Sequence, residues 1–267
     1  LGGTQNGDLF GGATTATGLG LQLRATNADI FAGIGFGAEV TTIQDGKSAN
    51  VSNTHFGLQD GSALTQAYLT YGMDSINTSL KIGRQTLPKS LSPFAFSENW
   101  GMFLNTFDAA LAVNSSLPDT TLVYAFVTRS NNAVTALPGV AQNPWKQLQG
   151  SYNGLDDFDS INDDGVHMVT VQNKSISNLT LTGSWYYGPD HTAWTADMAG
   201  LTGGGDTNIL WGDATYAADM FTFGVQGGQI SPDEIPALAP MDDTTAYGFK
   251  IAGNLGMFDL SATCVID

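Results

Sequence analysis

The sequence predicts an all-β protein, an antiparallel up-and-down β-barrel that crosses a membrane. Apolar and polar residues alternate with period two along about twelve segments, which is the pattern of strands with two different faces. The segments are about ten residues long, close to the length with which a tilted strand crosses a bilayer. Short turns and long loops alternate along the chain, as they do in transmembrane barrels, whose long loops share one end.

The composition agrees with this fold class and excludes others. The chain has 267 residues, 33 glycines, 13% charged residues and a formal net charge of −16. So acidic a chain does not suit nucleic acid, whose phosphates require Lys and Arg. Its single cysteine, Cys264, excludes an intrachain disulfide. The longest apolar run covers residues 122–127, whereas a spanning helix needs about 20 apolar residues.

The first half of the chain supplies six predicted strands, each with an apolar and a polar face. In the fifth strand, the alternation predicts Phe107, Ala109, Leu111 and Val113 on the apolar face and Asp108 on the polar face. The six strands are centred on residues 19–25, 33–40, 66–71, 79–82, 107–114 and 122–126.

The second half supplies six more strands, and its long loops are rich in Gly and Asp. The pattern around His167 is ambiguous, so the face of that side chain is not predicted. Trp185, Tyr187 and Tyr216 fall near strand ends, where membrane barrels place their interfacial aromatic residues. These strands are centred on residues 166–173, 179–187, 207–216, 221–226, 247–252 and 258–266.

The two faces predict which side of the barrel is wet. One face carries Leu, Ile, Val, Phe, Trp and Tyr, and the other carries Thr, Ser, Gln, Gly and isolated charges. A barrel of about twelve strands encloses more space than side chains can fill. We therefore expect the polar face to line a water-filled lumen and the apolar face to meet lipid.

Residues 86–105 form an irregular and unusually apolar connection between the fourth and fifth strands. They include two prolines, one lysine, one glutamate and five aromatic or methionine residues. A loop this apolar is not expected to lie in open water. We predict that it folds into the mouth of the barrel and narrows the pore; the alternative is that it packs over the barrel top with its charges solvated.

The candidate functional residues are the charges on the polar face and on residues 86–105. A lone charge is costly in a dry core, but it is stable in a water-filled channel and sets ion selectivity there. The predicted pore-lining and constriction residues are Arg24, Glu39, Lys81, Arg84, Lys89, Glu98, Asp108, Asp213, Lys250 and Asp259.

Arg84 needs a separate argument, because it has the spacing of the apolar residues Leu80 and Ile82. Either Gly83 marks a β-bulge that turns Arg84 into the lumen, or Arg84 lies at the rim of the barrel. We favour the bulge.

No catalytic or metal centre is predicted. His55, His167 and His191 are far apart and have no ligand-like spacing to Cys264. One acidic loop can attract cations, and carboxylates of this kind also bind Ca²⁺. It lacks the Gly and terminal Glu of an EF-hand, so a solvated loop that enriches cations is favoured over a Ca²⁺ site. Its residues are Asp156, Asp157, Asp159, Asp163 and Asp164.

Four segments, in this order, resemble the OprD-like outer-membrane porins, and most closely the major outer membrane porins of the campylobacterial lineage. The resemblance is strongest over residues 63–129. The segments are Gln66-Ala67-Tyr68-Leu69-Thr70-Tyr71, Ser79-Leu80-Lys81-Ile82-Gly83-Arg84-Gln85, Asn105-Thr106-Phe107-Asp108-Ala109-Ala110 and Leu117-Pro118-Asp119-Thr120-Thr121-Leu122.

The resemblance implies a barrel of 16 to 18 strands, a trimer, an infolded constriction loop and passive uptake of small solutes. It also implies basic residues along the lumen and acidic residues on the constriction loop. Lys81 and Arg84 match the basic side, and Glu98 matches the acidic side. The chain departs from the family in its strand number and in its non-aromatic last residue, Asp267. We therefore expect residues 1–267 to be a single barrel domain that continues at both ends; the alternative is that the twelve strands close by themselves.

The expected function is a porin of the bacterial outer membrane that passes ions and small hydrophilic solutes and favours cations. It would contact membrane lipid and lipopolysaccharide, with no enzymatic activity, cofactor or resident metal. The alternative is a soluble or surface-displayed β protein, such as an adhesin or surface-layer module, with its apolar face turned inward.

Overall fold

The alternating pattern folds into one antiparallel sheet. The computed structural model describes residues 18–45, 61–92, 96–97, 103–131, 158–160, 164–189, 205–233, 242–254 and 259–266. Twelve strands pair in the order of the sequence. A thirteenth, the two-residue strand β7, pairs with β6 and is not part of that order. The strands are β1 (Gly18–Phe31), β2 (Ile34–Asp45), β3 (Gly61–Met73), β4 (Thr78–Gln85), β5 (Phe107–Asn114), β6 (Thr120–Ser130), β7 (Asp159–Ser160), β8 (Val166–Asn173), β9 (Leu179–Gly188), β10 (Thr207–Ala218), β11 (Phe221–Pro232), β12 (Thr244–Asn254) and β13 (Asp259–Ile266).

The short connections lie at one end of the sheet and the long connections at the other, as predicted. Five of the short connections contain a non-glycine residue with positive φ. Four of these residues are Asn or Asp, whose short polar side chains tolerate the left-handed conformation. One connection also contains a 3₁₀ turn, Asp74–Ile76. The residues with positive φ are Ala32, Asn77, Asp119, Asn178 and Asp219. Within the described part of the chain, no helix has the length and apolar character needed to cross a membrane.

One face of the sheet, here called the outer face, exposes large apolar side chains along its whole width. Leu19 on β1 is 71% exposed and Phe249 on β12 is 52% exposed. A soluble protein rarely exposes so continuous an apolar surface, whereas a membrane barrel presents one to lipid. Further exposed residues of this face are Leu23, Leu69, Ile82, Val171, Leu181, Leu210, Phe223, Val225 and Leu260.

The opposite face, here called the inner face, contains polar side chains that bond to each other across strands. Thr41 on β2 and Thr65 on β3 are hydrogen bonded through their hydroxyl groups at 2.7 Å. Thr170 on β8 and Ser184 on β9 form a similar pair, also at 2.7 Å. All four side chains are buried, and because each hydroxyl group has a partner, their burial does not leave a polar group unsatisfied.

The predicted orientation of β5 is wrong. Gly83 on the inner face pairs with Ala109, so Phe107 and Ala109 point inward and Asp108 points outward. Phe107 and Ala109 belong to a buried apolar cluster that also contains Leu87, from the connection between β4 and β5. Leu111 and Val113, also predicted on the lipid face, pack against this cluster from the same strand. This part of the inner face is apolar because it is covered by protein rather than by water.

Aromatic side chains gather on the outer face near the long connections. The register places His167 on the outer face, where its Nδ1 is hydrogen bonded to the hydroxyl of Tyr124 at 2.9 Å. The rings of Trp185 and Tyr187 are stacked, with centroids 5.9 Å apart. Rings with polar tips suit the boundary between lipid and water, so this group has the character predicted for Trp185 and Tyr187.

The two faces can be compared with neighbouring residues of β11. Val225 is on the outer face and Gln226 on the inner face. We expect Val225→Arg to destabilise the barrel in lipid vesicles by about 2–4 kcal/mol, the cost of a basic residue facing the bilayer core. Gln226→Arg should change stability by about 0.5 kcal/mol or less, because its side chain faces water.

Reversible urea unfolding in lipid vesicles measures the free energy of unfolding of both variants. A larger loss of unfolding free energy in Gln226→Arg than in Val225→Arg would mean that the apolar face is not the one in contact with lipid.

Candidate functional site

The polar side chains of β1 to β3 surround one buried carboxylate on the inner face. Arg24 and Glu39 are paired in register, and the Arg24 guanidinium binds Glu39 Oε2 through both Nε, at 2.7 Å, and Nη2. Thr65 donates to Glu39 Oε1 at 2.9 Å, and Gln22 donates to the same oxygen at 3.2 Å. Glu39 is therefore fully bonded and only 3% exposed, whereas the Arg24 side chain is 57% exposed.

A bulge in β3 makes this arrangement possible. Glu39 pairs with Gln66 and Val40 pairs with Leu64, so Thr65 is an extra residue on β3. Thr65 and Gln66 are both buried, and a bulge is the local structure that lets two consecutive residues point to one side. The bulge thereby supplies the hydroxyl group that binds Glu39.

Lys81 is held against an aromatic ring on the same inner face. Its Nζ lies 3.9 Å from the centroid of the Tyr68 ring, a cation–π contact. Gly37, which pairs with Tyr68 across β2 and β3, leaves room for the ring, because a Cβ at that position would lie 2.2 Å from Tyr68 Cζ. Gly37, Tyr68 and Lys81, from β2, β3 and β4, thus form one series of contacts across the inner face.

Sequence reasoning identified Lys81 and Arg24 but missed Tyr68. The signal was present, because Tyr68 alternates with the polar residues Gln66 and Thr70 rather than with Leu69. An aromatic residue in the polar half of the alternation marks a ring that lies on the inner face.

The β-bulge predicted at Gly83 is wrong. β4 pairs with β3 and with β5 in unbroken register through Gly83, so Arg84 stays on the face of Ile82. Arg84 instead forms an ion pair with Asp108, with Nε to Oδ1 at 2.8 Å and Nη2 to Oδ2 at 3.1 Å. Both residues lie at strand ends next to the long connections, which agrees with the rim position considered as the alternative.

The other predicted charges on the strands take part in neither the Arg24–Glu39 nor the Arg84–Asp108 ion pair. Asp213 is on the inner face of β10, where it pairs in register with Thr182 of β9. Lys250, on β12, pairs with Gly224 and has an exposed side chain on the inner face. Asp259 pairs with Asn254 at the start of β13, in register with the inner face.

The loop charges are only partly described. Lys89 is exposed, with its Nζ 4.8 Å from the centroid of the Phe96 ring. Asp159 is in β7, and Asp164 is exposed beside β8. In the described ranges no group of three or more His, Cys, Asp or Glu residues could hold a metal ion. The remaining predicted residues, Glu98, Asp156, Asp157 and Asp163, lie outside those ranges, so the preference for a solvated, cation-enriching loop over a Ca²⁺ site stays a prediction.

Both ends of the connection formed by residues 86–105 are held by burial or by hydrogen bonds. Leu87 is 2% exposed in the apolar cluster, and its backbone N–H donates to Ser97 Oγ at 3.1 Å. The Ser97 N–H returns a bond to the Leu87 carbonyl at 2.9 Å. At the other end, Asn131 accepts a 2.7 Å bond from the Thr106 N–H through its side-chain oxygen.

Comparison with known proteins finds solved structures that are similar to this chain. No protein-family model matches the sequence, and no curated protein is similar to it. The crystal structure of OpdO from Pseudomonas aeruginosa has a TM-score of 0.64 and 14% identity, over 94% of this chain and 57% of that one. OpdK from the same organism, determined with vanillate, has a TM-score of 0.63 and 13% identity, over 93% and 61%.

A third similar structure comes from another organism. OccAB1 of Acinetobacter baumannii has a TM-score of 0.51 and 14% identity, over 94% of this chain and 73% of that one. The chain spans less than two thirds of the length of OpdO and OpdK. The resemblance to campylobacterial porins stays a prediction. The chain therefore has the all-β, up-and-down fold of outer-membrane porin barrels.

Proposed function

We propose that the chain forms the wall of an outer-membrane porin, a water-filled and non-enzymatic channel for passive diffusion of ions and small hydrophilic solutes. The observation that carries this proposal is the difference between the side chains on the two faces of one sheet. The inner face carries Arg24, Glu39 and Lys81, while the outer face exposes Leu, Val, Ile and Phe side chains.

The state of these charges supports a wet lumen. In a dry interior the Arg24 guanidinium would need a partner for each N–H group, yet more than half of its side chain is exposed. The soluble alternative would instead turn the apolar face inward and these charges outward. It would leave the extensive apolar surface of β1, β10, β11 and β12 without an explanation.

Residues 86–105 are proposed as the constriction. The burial of Leu87 in the inner-face cluster and the bonds of Leu87 to Ser97 support a connection that lies against the inside of the wall. Lys89 and Glu98 are then the charges nearest the narrowest point, across the lumen from the charged strands.

Cation preference is proposed from the charge of the chain, in which 25 acidic residues outnumber 9 basic ones. Such an excess raises the local concentration of cations at the mouth, where the acidic loop would act. A small anionic solute is a second candidate, because the inner face also carries the cations Lys81 and Lys250. Vanillate, present with OpdK, is a carboxylate of this kind.

The proposed environment is the bacterial outer membrane, in contact with lipid and lipopolysaccharide and in a trimer. The exposed outer face and the Trp185–Tyr187 pair support the lipid contact.

The proposal predicts ion conductance. We expect the full-length protein, purified in detergent and inserted into planar bilayers, to give stable conductance steps and a reversal potential that favours K⁺ in a KCl gradient. Absence of conductance from a folded barrel would contradict the channel. Preference for Cl⁻ would overturn the cation proposal alone and favour anionic solutes.

The wall charge should tune selectivity. Lys81→Met removes a positive charge, and a unit charge about 7 Å from an ion in water contributes about 0.6 kcal/mol. The removal favours K⁺ and disfavours Cl⁻ by this amount each, so we expect the K⁺ to Cl⁻ permeability ratio to rise roughly sevenfold, as read from the reversal potential.

Lys174→Met is the matched control, because it removes the same charge at an exposed turn on the short-connection side of the sheet. Equal shifts of the reversal potential in both variants would indicate a general effect of net charge. They would contradict the placement of Lys81 in the pore lining.

A further inference from the structure

We propose that Arg84 is a positioning residue for residues 86–105 and not a charge that lines the lumen. With Asp108, the Leu64 carbonyl and Phe158 it forms a set of contacts, here called the Arg84 clasp, that fixes the base of the constriction. The proposal rests on the proposed channel function, and it assigns to Arg84 a role different from that of Lys81.

The clasp joins four parts of the chain through one guanidinium group. On β5, Asp108 accepts two bonds, and on β3 the Leu64 carbonyl accepts a bond from Arg84 Nη1 at 3.1 Å. The Phe158 ring lies over the guanidinium, with its centroid 3.2 Å from Arg84 Cζ. Only a planar fork can make a bidentate ion pair, a third hydrogen bond and a stacking contact together, so Lys is not equivalent here.

The Leu64 carbonyl lies next to the end of the β3–β4 ladder. Pairing between β3 and β4 extends to Ala67 and Arg84, and the bulged residue Thr65 lies between Leu64 and that pair. Leu64 still pairs with Val40 of β2, and its carbonyl accepts a bond from the Arg84 side chain. Arg84 thus adds a hydrogen bond between β4 and β3 beyond their last backbone pair.

The inner face fixes the same point from the other side. Gln85 is fully buried, and its Nε2 donates to the carbonyls of Lys81 at 3.2 Å, Gly83 at 3.3 Å and Ala109 at 3.0 Å. Gly83 has a φ of +121°, and a Cβ there would lie 2.3 Å from the Ala67 carbonyl oxygen. The backbone at residues 83–85 is therefore held from both faces, two residues before Leu87 enters the apolar cluster.

The placement of Arg84 argues against a role in selectivity. It lies on the face of Ile82, which is 56% exposed, and its charge is paired with Asp108. A compensated charge on the outer face has little influence on an ion in the lumen, because the two fields largely cancel.

The clasp also links two long connections. Phe158 precedes β7 in the connection between β6 and β8, whereas Arg84 precedes the connection between β4 and β5. Because the Phe158 ring packs on the group that anchors residues 86–105, removal of the ring should loosen the constriction without changing any charge.

The test compares Phe158→Ala and Arg84→Lys with wild type in the full-length protein. Both variants keep the net charge. We expect both to increase open-channel current noise and brief changes of conductance level while the reversal potential stays at the wild-type value. Lys81→Met should show the opposite pattern, with a shifted reversal potential and wild-type noise.

Limited trypsin digestion in detergent supplies a readout that does not depend on conductance. We expect cleavage after Lys89, which is exposed in the constriction, to become about tenfold faster in Phe158→Ala, because digestion follows the population of the opened segment. Cleavage after Lys174, at a distant turn, is the internal control and should keep its rate.

The outcomes separate the two proposals. Wild-type noise and wild-type cleavage after Lys89 in Phe158→Ala would overturn the clasp, as would a reversal potential of Arg84→Met that shifts as much as that of Lys81→Met. Absence of conductance from wild type would overturn the channel but leave the Lys89 cleavage test in force. Heat-dependent gel migration identifies folded variants, and if Arg84→Lys does not fold, Phe158→Ala decides.

Discussion

The structure depends on one constraint, that each strand has only two faces and that the two faces meet different surroundings. In one sheet of twelve strands, every second residue must suit an apolar medium and every other residue must suit water or protein. Backbone pairing on both sides satisfies the peptide groups of the strands that lie between β1 and β13 in the sheet. The side chains of the two faces can then differ in polarity. The Arg24–Glu39 ion pair and the Lys81 cation lie on the inner face.

The inner face is itself divided into two regions. On β1 to β4 it is polar, and Glu39 is buried only because Arg24, Thr65 and Gln22 all bind it. From β5 to β10 it contains an apolar cluster in which Leu87 takes part and against which Leu91 packs, both from the connection after β4. The same strand positions are therefore wet in one region and dry in the other, and the difference arises from where a connection packs back onto the sheet.

The fold was predictable from the sequence, because period-two alternation and loop length repeat along the chain and do not depend on distant contacts. The face of β5 was not predictable in this way. Phe107 and Ala109 look like lipid-facing residues until Leu87 is known to cover them. The predicted inward position of Arg84 was wrong for a related reason, because its position depends on contacts with Asp108 and Phe158, which are distant in sequence. The charges on regular strands, Arg24, Glu39 and Lys81, were placed on the correct face, whereas the bulge at Thr65 has no simple sequence signal.

The contact between the Tyr68 ring and the backbone of Gly37 has a consequence for residue 37. A Cβ at that position would lie 2.2 Å from Tyr68 Cζ. Any larger residue there must displace the ring, and with it the contact between the ring and Lys81 Nζ. In the proposed channel, the place of a lysine on the inner face can thus be adjusted by a residue that contributes no side chain of its own.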